Sequence, residues 1–366
     1  MAPAVDELPN GCTIRRATRD DNAAILDFYS RHAMQAEVGL RFDRAPDFFG
    51  LLDAHSPTHE TLIVEYEGAI RAAGTVVLRP AYVGRRVVKA AYLGDLYIPP
   101  HRAVSAVWPG AFQRFLQTLR SEAGVEFIYS CVIRDNRLAH ASLVKPRRPD
   151  RAAFTHWRGY SNVSILARKP WARRRTLVKV RRAAESDAEQ LRNFLNEQSQ
   201  QTAGGVVFDA PTWQHRLTSW PGFGLESFHV AENDHGRILG CLAPYDFSEM
   251  KRIVLLNSTL SLQAVKWIYN LFCRPRIESV LPNVYLTHVA IRDRNADVFA
   301  ALLDAAYQDL ARTQKYATVS MCLYDRDSLW NALGPYWHVA VPMDLYTLSG
   351  LQPEADVYPG FEIYLV

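Results

Sequence analysis

The sequence has no C-x-x-C pair, no long apolar run and no large excess of either charge. Its five cysteines (Cys12, Cys131, Cys241, Cys273, Cys322) are odd in number and scattered. That argues against a disulfide or zinc framework and predicts reduced thiols in a cytoplasmic protein. No uninterrupted apolar stretch approaches the length of a membrane span. The opening "MAPAVDELPNGC" lacks the apolar segment of a secretory leader. The G-x-S-x-G, H-E-x-x-H and P-loop patterns are absent, which leaves hydrolase, zinc-protease and nucleoside-triphosphatase readings without support. The net charge is only +4, with basic residues gathered in "VKPRRPDR" (144–151) and "ARKPWARRR" (167–175). Neither run is interleaved with aromatics in the manner of a nucleic-acid surface. They read as solvated linker or as a path for an acidic partner.

What is present is a repeat. "TIRRATRDDNAAILDFY" (13–29) aligns without a gap on "KVRRAAESDAEQLRNFL" (179–195). Arg15, Arg16, Ala17, Asp21 and Phe28 recur as Arg181, Arg182, Ala183, Asp187 and Phe194. Both segments predict a strand feeding a helix with an acidic first turn, which suits the positive helix N-terminus. "ETLIVEYEGAIRAAGTVVL" (60–78) and "ESFHVAENDHGRILGCLAP" (226–244) follow in the same register. Each predicts a β-hairpin turning at Gly68 or Gly236. Paired late strands at 125–135 and 316–327 each carry a cysteine, and each follows a strand-then-helix unit. The second copy adds "SLQAVKWIYNLFC" (261–273), read as a helix that braces or covers the fold. These patterns predict an α/β (α+β) protein built as two copies of one domain, residues 1–170 and 171–366, each a mixed, largely antiparallel sheet flanked by helices.

The repeat unit resembles the GNAT superfamily of N-acyltransferases, in tandem and with degenerate pyrophosphate-binding turns. The resemblance rests on element order over nearly all of each half, on the opening "TIRRATRDD", and on "LGDLYIPPHRAVSAVWPGAFQRFLQTLRSEAGVEFIYSCVIRDN" (93–136). It implies that acyl-CoA lies where the fourth and fifth strands part, its pyrophosphate on the backbone amides opening the third helix. Leu96, Tyr97, Ile98, Arg102, Ala103, Val104, Ser105, Ala106 and Val107 then fall on the donor, and Asn136 on its pantetheine. Ser105 and Val107 stand where the family has small residues, mostly Gly. In the second half Arg292 or Arg294 leads the turn, with Asn295 the stand-in for Gly in a left-handed conformation and Asp293 and Asp297 crowding any anion.

The same resemblance places a base on the fourth strand, where Asp95 sits. Strand alternation puts Ala91, Leu93, Asp95 and Tyr97 on one face, an apolar setting expected to raise a carboxylate's pKa. His101 stands at the mouth of the turn, able to move a proton or meet phosphate. The family's tyrosine acid falls on Leu143 and on Trp330, so Tyr129 or Tyr160 would have to replace it. The first half is therefore the expected site of donor binding and catalysis, the second the half that completes the acceptor pocket or braces the first. The resemblance implies acetyl-CoA or a longer acyl-CoA as co-substrate, no metal, and a primary amine of a small molecule or peptide as acceptor. An acyl carrier protein docking on Arg85, Arg86, Arg147 and Arg148 is a second donor. The alternative is a non-catalytic scaffold for ligand sensing or partner binding.

Overall fold

The computed structural model describes residues 6–8, 11–31, 40–141, 153–172, 178–256, 263, 266–267, 269–271, 275–348, 351, 353–354, 357–362 and 364. In chain order the first half runs β1 (Asp6–Leu8), β2 (Cys12–Arg16), α1 (Asn22–Ser30), β3 (Leu40–Asp43), α2 (Gly50–His55), β4 (His59–Tyr66), β5 (Ala69–Val83), β6 (Arg86–Tyr97), α3 (Arg102–Ser121), β7 (Phe127–Ile133) and β8 (Phe154–Arg168). The second runs β9 (Lys179–Arg182), α4 (Ala188–Gln200), β10 (Gly205–Val206), α5 (Ala210–Ser219), β11 (His229–Glu232) and β12 (Ile238–Tyr245). It continues with β13 (Arg252–Leu255), β14 (Val280–Leu281), β15 (Asn283–Ile291), α6 (Ala296–Thr313), β16 (Thr318–Tyr324) and β17 (Tyr336–Leu348). The element order is thus repeated, as expected. The predicted 261–273 helix falls largely outside the described residues, as do 144–151 and Leu143.

The repeated Arg and Asp have one structural cause. Arg15 forks onto Asp21 (2.8 and 2.7 Å) and onto Glu65 (3.0 and 2.7 Å), tying β2 to the α1 entrance and to β4. Arg181 does the same with Asp187 (2.6 and 2.9 Å) and Glu232 (2.7 Å). Asp21 and Asp187 also accept the amides of Thr18 and Ala184, so one carboxylate caps a helix and orients an arginine. The hairpin turns also fall where the sequence places them. Glu67 and Gly68 take φ of 52° and 71°, the left-handed pair that closes a tight β-turn.

The halves do not have separate sheets. One 14-stranded sheet runs β1-β2-β4-β5-β6-β7-β17-β8-β16-β15-β12-β11-β9, with β10 added on β5. The last strand of each half has crossed over. β17 lies between β7 and β8, and β8 pairs on its other edge with β16. The expected boundary near residue 170 falls just after β8, and the sheet continues across it. One buried cluster likewise draws Phe127, Tyr129 and Val77 from the first half together with Phe223, Tyr245 and Phe361 from the second. A small sheet, β14-β13-β3, bridges the halves again. Among the described residues no helix is long and apolar enough to cross a membrane.

Candidate active site

β6 and β7 run parallel from Ala90↔Phe127 to Leu93↔Ser130, and there the pairing stops. Asp95 and Leu96 form a bulge opposite Gly74: the register against β5 passes from Thr75↔Gly94 to Ala73↔Tyr97, and Asp95 takes φ of 50°. The extra residue reverses the strand's faces beyond that point. Leu93 belongs to the cluster under α3, whereas Tyr97 joins the cluster on the opposite face. The expectation of one continuous face over Ala91, Leu93, Asp95 and Tyr97 is therefore corrected.

Asp95 does not sit among apolar neighbours either. Arg44 grips both its oxygens (2.9 and 2.7 Å), and the Thr75 hydroxyl donates at 2.9 Å. The Tyr29 hydroxyl donates to its backbone carbonyl at 2.5 Å. Arg44 comes from the loop after β3, which no sequence pattern ties to β6.

Where the strands part, a narrow apolar cleft of about 30 Å³, widening to solvent at its mouth, lies beneath α3. Its walls are Gly74, Leu93, Leu96, Trp108, Phe112 and Phe154, with the Thr75 and Ser130 hydroxyls the polar exceptions. Trp108 is one of the side chains that narrow this space. At one end α3 begins. Ser105 makes the first intrahelical amide bond, to the His101 carbonyl at 2.8 Å, so the amides before it have no acceptor within the helix. Val107 packs inward with Ile98 and Val104, leaving Arg102, Ser105 and Ala106 on the solvent side. The bulky departure at Val107 thus does not fill the turn. His101 precedes the helix with extended backbone, its ring 4.9 Å from that of Tyr66.

The second half has closed its equivalent site. Asp293 and Arg294 carry the left-handed φ (53° and 46°), while Asn295, expected to do so, has φ of −68°. Its side chain instead accepts the amides of Asp297 (2.9 Å) and Val298 (3.2 Å), capping α6 from within. Arg292 is paired with Glu197 at 2.9 Å and Arg294 with Asp327. β12 also presses against α6: a Cβ on Gly240 would meet Val298 and Ile291 at 2.9 Å.

No family model matches this sequence, and no curated protein does. Solved structures do. N-myristoyltransferase of Saccharomyces cerevisiae, with bound myristoyl-CoA, aligns over 96% of this chain and 86% of its own at 12% identity, TM-score 0.61. A GCN5-related N-acetyltransferase from Sphaerobacter thermophilus aligns over 94% and 98% at 13% identity, TM-score 0.58. The chain has the GNAT fold.

Within that fold the residues expected from sequence divide into groups. Arg102 to Val107 form the first two turns of α3, with Leu96 and Ile98 packed beside them on the α3 face. Tyr129 lies on the other face, buried against Phe127 and Tyr92, its hydroxyl 3.2 Å from the Arg79 guanidinium. Asn136 uses its side-chain oxygen to cap a short helical turn through the Ala139 amide (3.1 Å). Tyr160 shares a hydrogen bond with the Cys131 thiol (2.6 Å), and burial pushes that thiol up to about 12. Trp330 donates its indole N–H to the Tyr324 carbonyl (2.9 Å).

Several groups had no signal in the sequence. On the face opposite α3, Lys251 is buried between the rings of Phe42 (5.1 Å) and Tyr285 (5.0 Å), its Nζ donating to the Tyr364 carbonyl at 2.9 Å. Burial, with the nearby Arg44 cation, pushes it down to about 7. Deeper lie Arg216 and Glu362, paired at 2.6 Å, with Tyr364 donating to Glu362 at 2.5 Å. Burial pushes the Glu362 carboxyl upward, but Arg216 and Arg79 outweigh it and hold it at about 2. Apart from Glu362 and Tyr364, which are neighbours in the C-terminal segment, these residues lie far apart in sequence, so only folding gathers them.

Proposed function

We propose that this protein is an N-acyltransferase that holds an acyl-CoA in the first-half cleft and passes its acyl group to a primary amine approaching from the opposite face. The observation that carries this reading is the apolar cleft at the parting of β6 and β7, with the α3 N-terminus at its end. The yeast neighbour, whose fold covers nearly the whole chain, is a structure with bound myristoyl-CoA.

In this reading the pyrophosphate rests on the amides opening α3, flanked by His101 and Arg102, with Ser105 and Ala106 on its open side. Pantetheine runs along Leu96, Tyr97 and Ile98, and the alkyl chain enters the cleft. Asp95 and Leu96 fall between the paired positions of the bulge, so their backbone offers the thioester carbonyl its polarising donors. Attack forms the C–N bond and breaks the C–S bond, the thiolate leaving and the amine losing a proton. Asp95 is committed to Arg44 and Thr75, and we assign it to holding the bulge. The proton passes to Lys251, which is partly neutral near pH 7. Tyr129, fixed by Arg79, orders the face where the halves meet.

The test is native mass spectrometry and calorimetry with CoA, acetyl-CoA and longer acyl-CoAs, followed by transfer to model amines. Each buried methylene contributes about 0.8 kcal/mol, so affinity is expected to rise with acyl length only for the carbons the narrow cleft admits and to level off beyond them. Absence of any stoichiometric thioester adduct would refute this reading in favour of a carrier-protein donor or a binding scaffold.

A further inference from the structure

A second pocket, outside the donor cleft, opens in the second half and encloses about 730 Å³, counting its mouth. It is walled by the segment Asp246–Ile253, by Val280–Asn283 and by Lys315–Tyr316, with Tyr285 beside them. Its polar groups are unevenly matched. Asn283 is only 8% exposed, and its Oδ1 accepts the hydroxyls of Thr318 and Ser320, each at 2.7 Å. Those two bonds fix the amide's orientation and leave Nδ2 buried with no partner among the described residues. Arg252 gives Nη2 to Asp43 (2.6 Å), while its Nε is likewise buried and unpartnered. Lys315 stands exposed at the rim. Against these donors the pocket sets one acid, Asp246, which accepts the Ser248 amide at 2.8 Å.

An unpaired buried N–H costs about 1–3 kcal/mol, and two such groups on side chains that line one pocket, just behind its wall, mark a place where an acceptor group belongs once they turn to meet it. The surplus of positive charge makes that group an anion. Lys251 lines the same pocket, and Arg252 beside it reaches Asp43 and the Ala45 carbonyl, on either side of the Arg44 that grips Asp95, so the pocket borders the face from which an acceptor would approach.

We propose that this pocket receives a carboxylate on Asn283, Arg252 and Lys315, and that the acceptor is an amine carrying that carboxylate, an amino acid or short peptide whose amino group lies toward Lys251. Assigning the ligand as acceptor rests on the acyl-transfer reading; carboxylate binding does not.

The test is calorimetric titration of the full chain, with no thioester present, using the dipeptide alanyl-alanine, its C-terminal amide and inorganic phosphate. The dipeptide should bind at least tenfold more tightly than the amide. Asn283→Asp keeps an oxygen for the two hydroxyls and replaces the free donor by an anion. Lys315→Glu alters only the rim, and both variants should retain a native melt and lose at least tenfold in dipeptide affinity. Equal binding of the amide, tighter binding of phosphate, or unchanged affinity in folded Asn283→Asp would each overturn the proposal. Dipeptide binding by a chain that binds no acyl-CoA would leave the pocket standing and remove acyl transfer from CoA.

Discussion

Asp95 and His288 occupy matching places in the two halves, each just past the end of parallel pairing and each with φ near 50° (50° and 51°). Only the side chains differ. Asp95 faces Arg44, whereas His288 is enclosed by the rings of Trp220, Phe223 and Phe228 at 5.2–5.3 Å, its Nδ1 beside the Thr287 hydroxyl at 2.8 Å. Burial, with Arg216 adding to it, pushes His288 down to about 3, and His55 is lowered well below its ordinary value by burial and Arg79. The folded protein therefore keeps these rings neutral while the unfolded chain protonates them below about pH 6.5. The unfolded state binds more protons, so stability falls as pH drops through 6.5 toward 3, by up to about 1.4 kcal/mol per pH unit for each group. Between pH 6.5 and 5, above the carboxylate range, His288→Asn should remove about half of that slope. Asparagine tolerates the left-handed backbone, and its cavity lowers the baseline without altering pH dependence. Thermal unfolding across that interval measures it, and an unchanged slope would show that His288 does not titrate in this way.

At the scale of the element, α3 and α6 are the same helix put to different use. The α6 entrance is closed by Asn295 and by arginines bound to acids, while the α3 entrance presents free amides beside small exposed side chains. Ser105→Glu, which sets a carboxylate at the proposed phosphate site, should abolish acyl-CoA binding while leaving the melting temperature nearly unchanged. Asn295→Ala removes a cap and should cost about 1 kcal/mol with acyl-CoA binding intact. Native mass spectrometry beside thermal unfolding reads both. The reverse pattern would move the donor to the second half.

Across the whole molecule, the exchange of β8 and β17 makes the halves one cooperative body. β8 is hydrogen-bonded to second-half strands along both edges. Calorimetry should show a single unfolding transition, and a chain cut at a protease site placed within 173–177 should still elute as one particle. Two transitions, or fragments that separate under native conditions, would contradict this.

The repeat, the hairpin turns and the position of α3 were legible because they depend on local pattern: a gapless alignment, left-handed turn residues, an apolar run broken by Pro-Pro. The reach of Arg15 to Asp21 is local as well, and its recurrence at Arg181 announced a second copy. Other features could not be read this way. One inserted residue at the bulge reverses a strand's faces, and alternation alone does not reveal it. Arg44 meets Asp95, and Arg252 shares a pocket with Asn283, across sequence distances that carry no periodicity. Which strand pairs with β8 depends on competition among edges with similar patterns, and the lowest-energy solution is the exchanged one. The sequence by itself therefore determined the fold class and its duplication, since those follow from short-range chemistry. Only tertiary structure decided which helix entrance stays uncapped, which charges meet, and where two buried donors are left unpaired among the described residues.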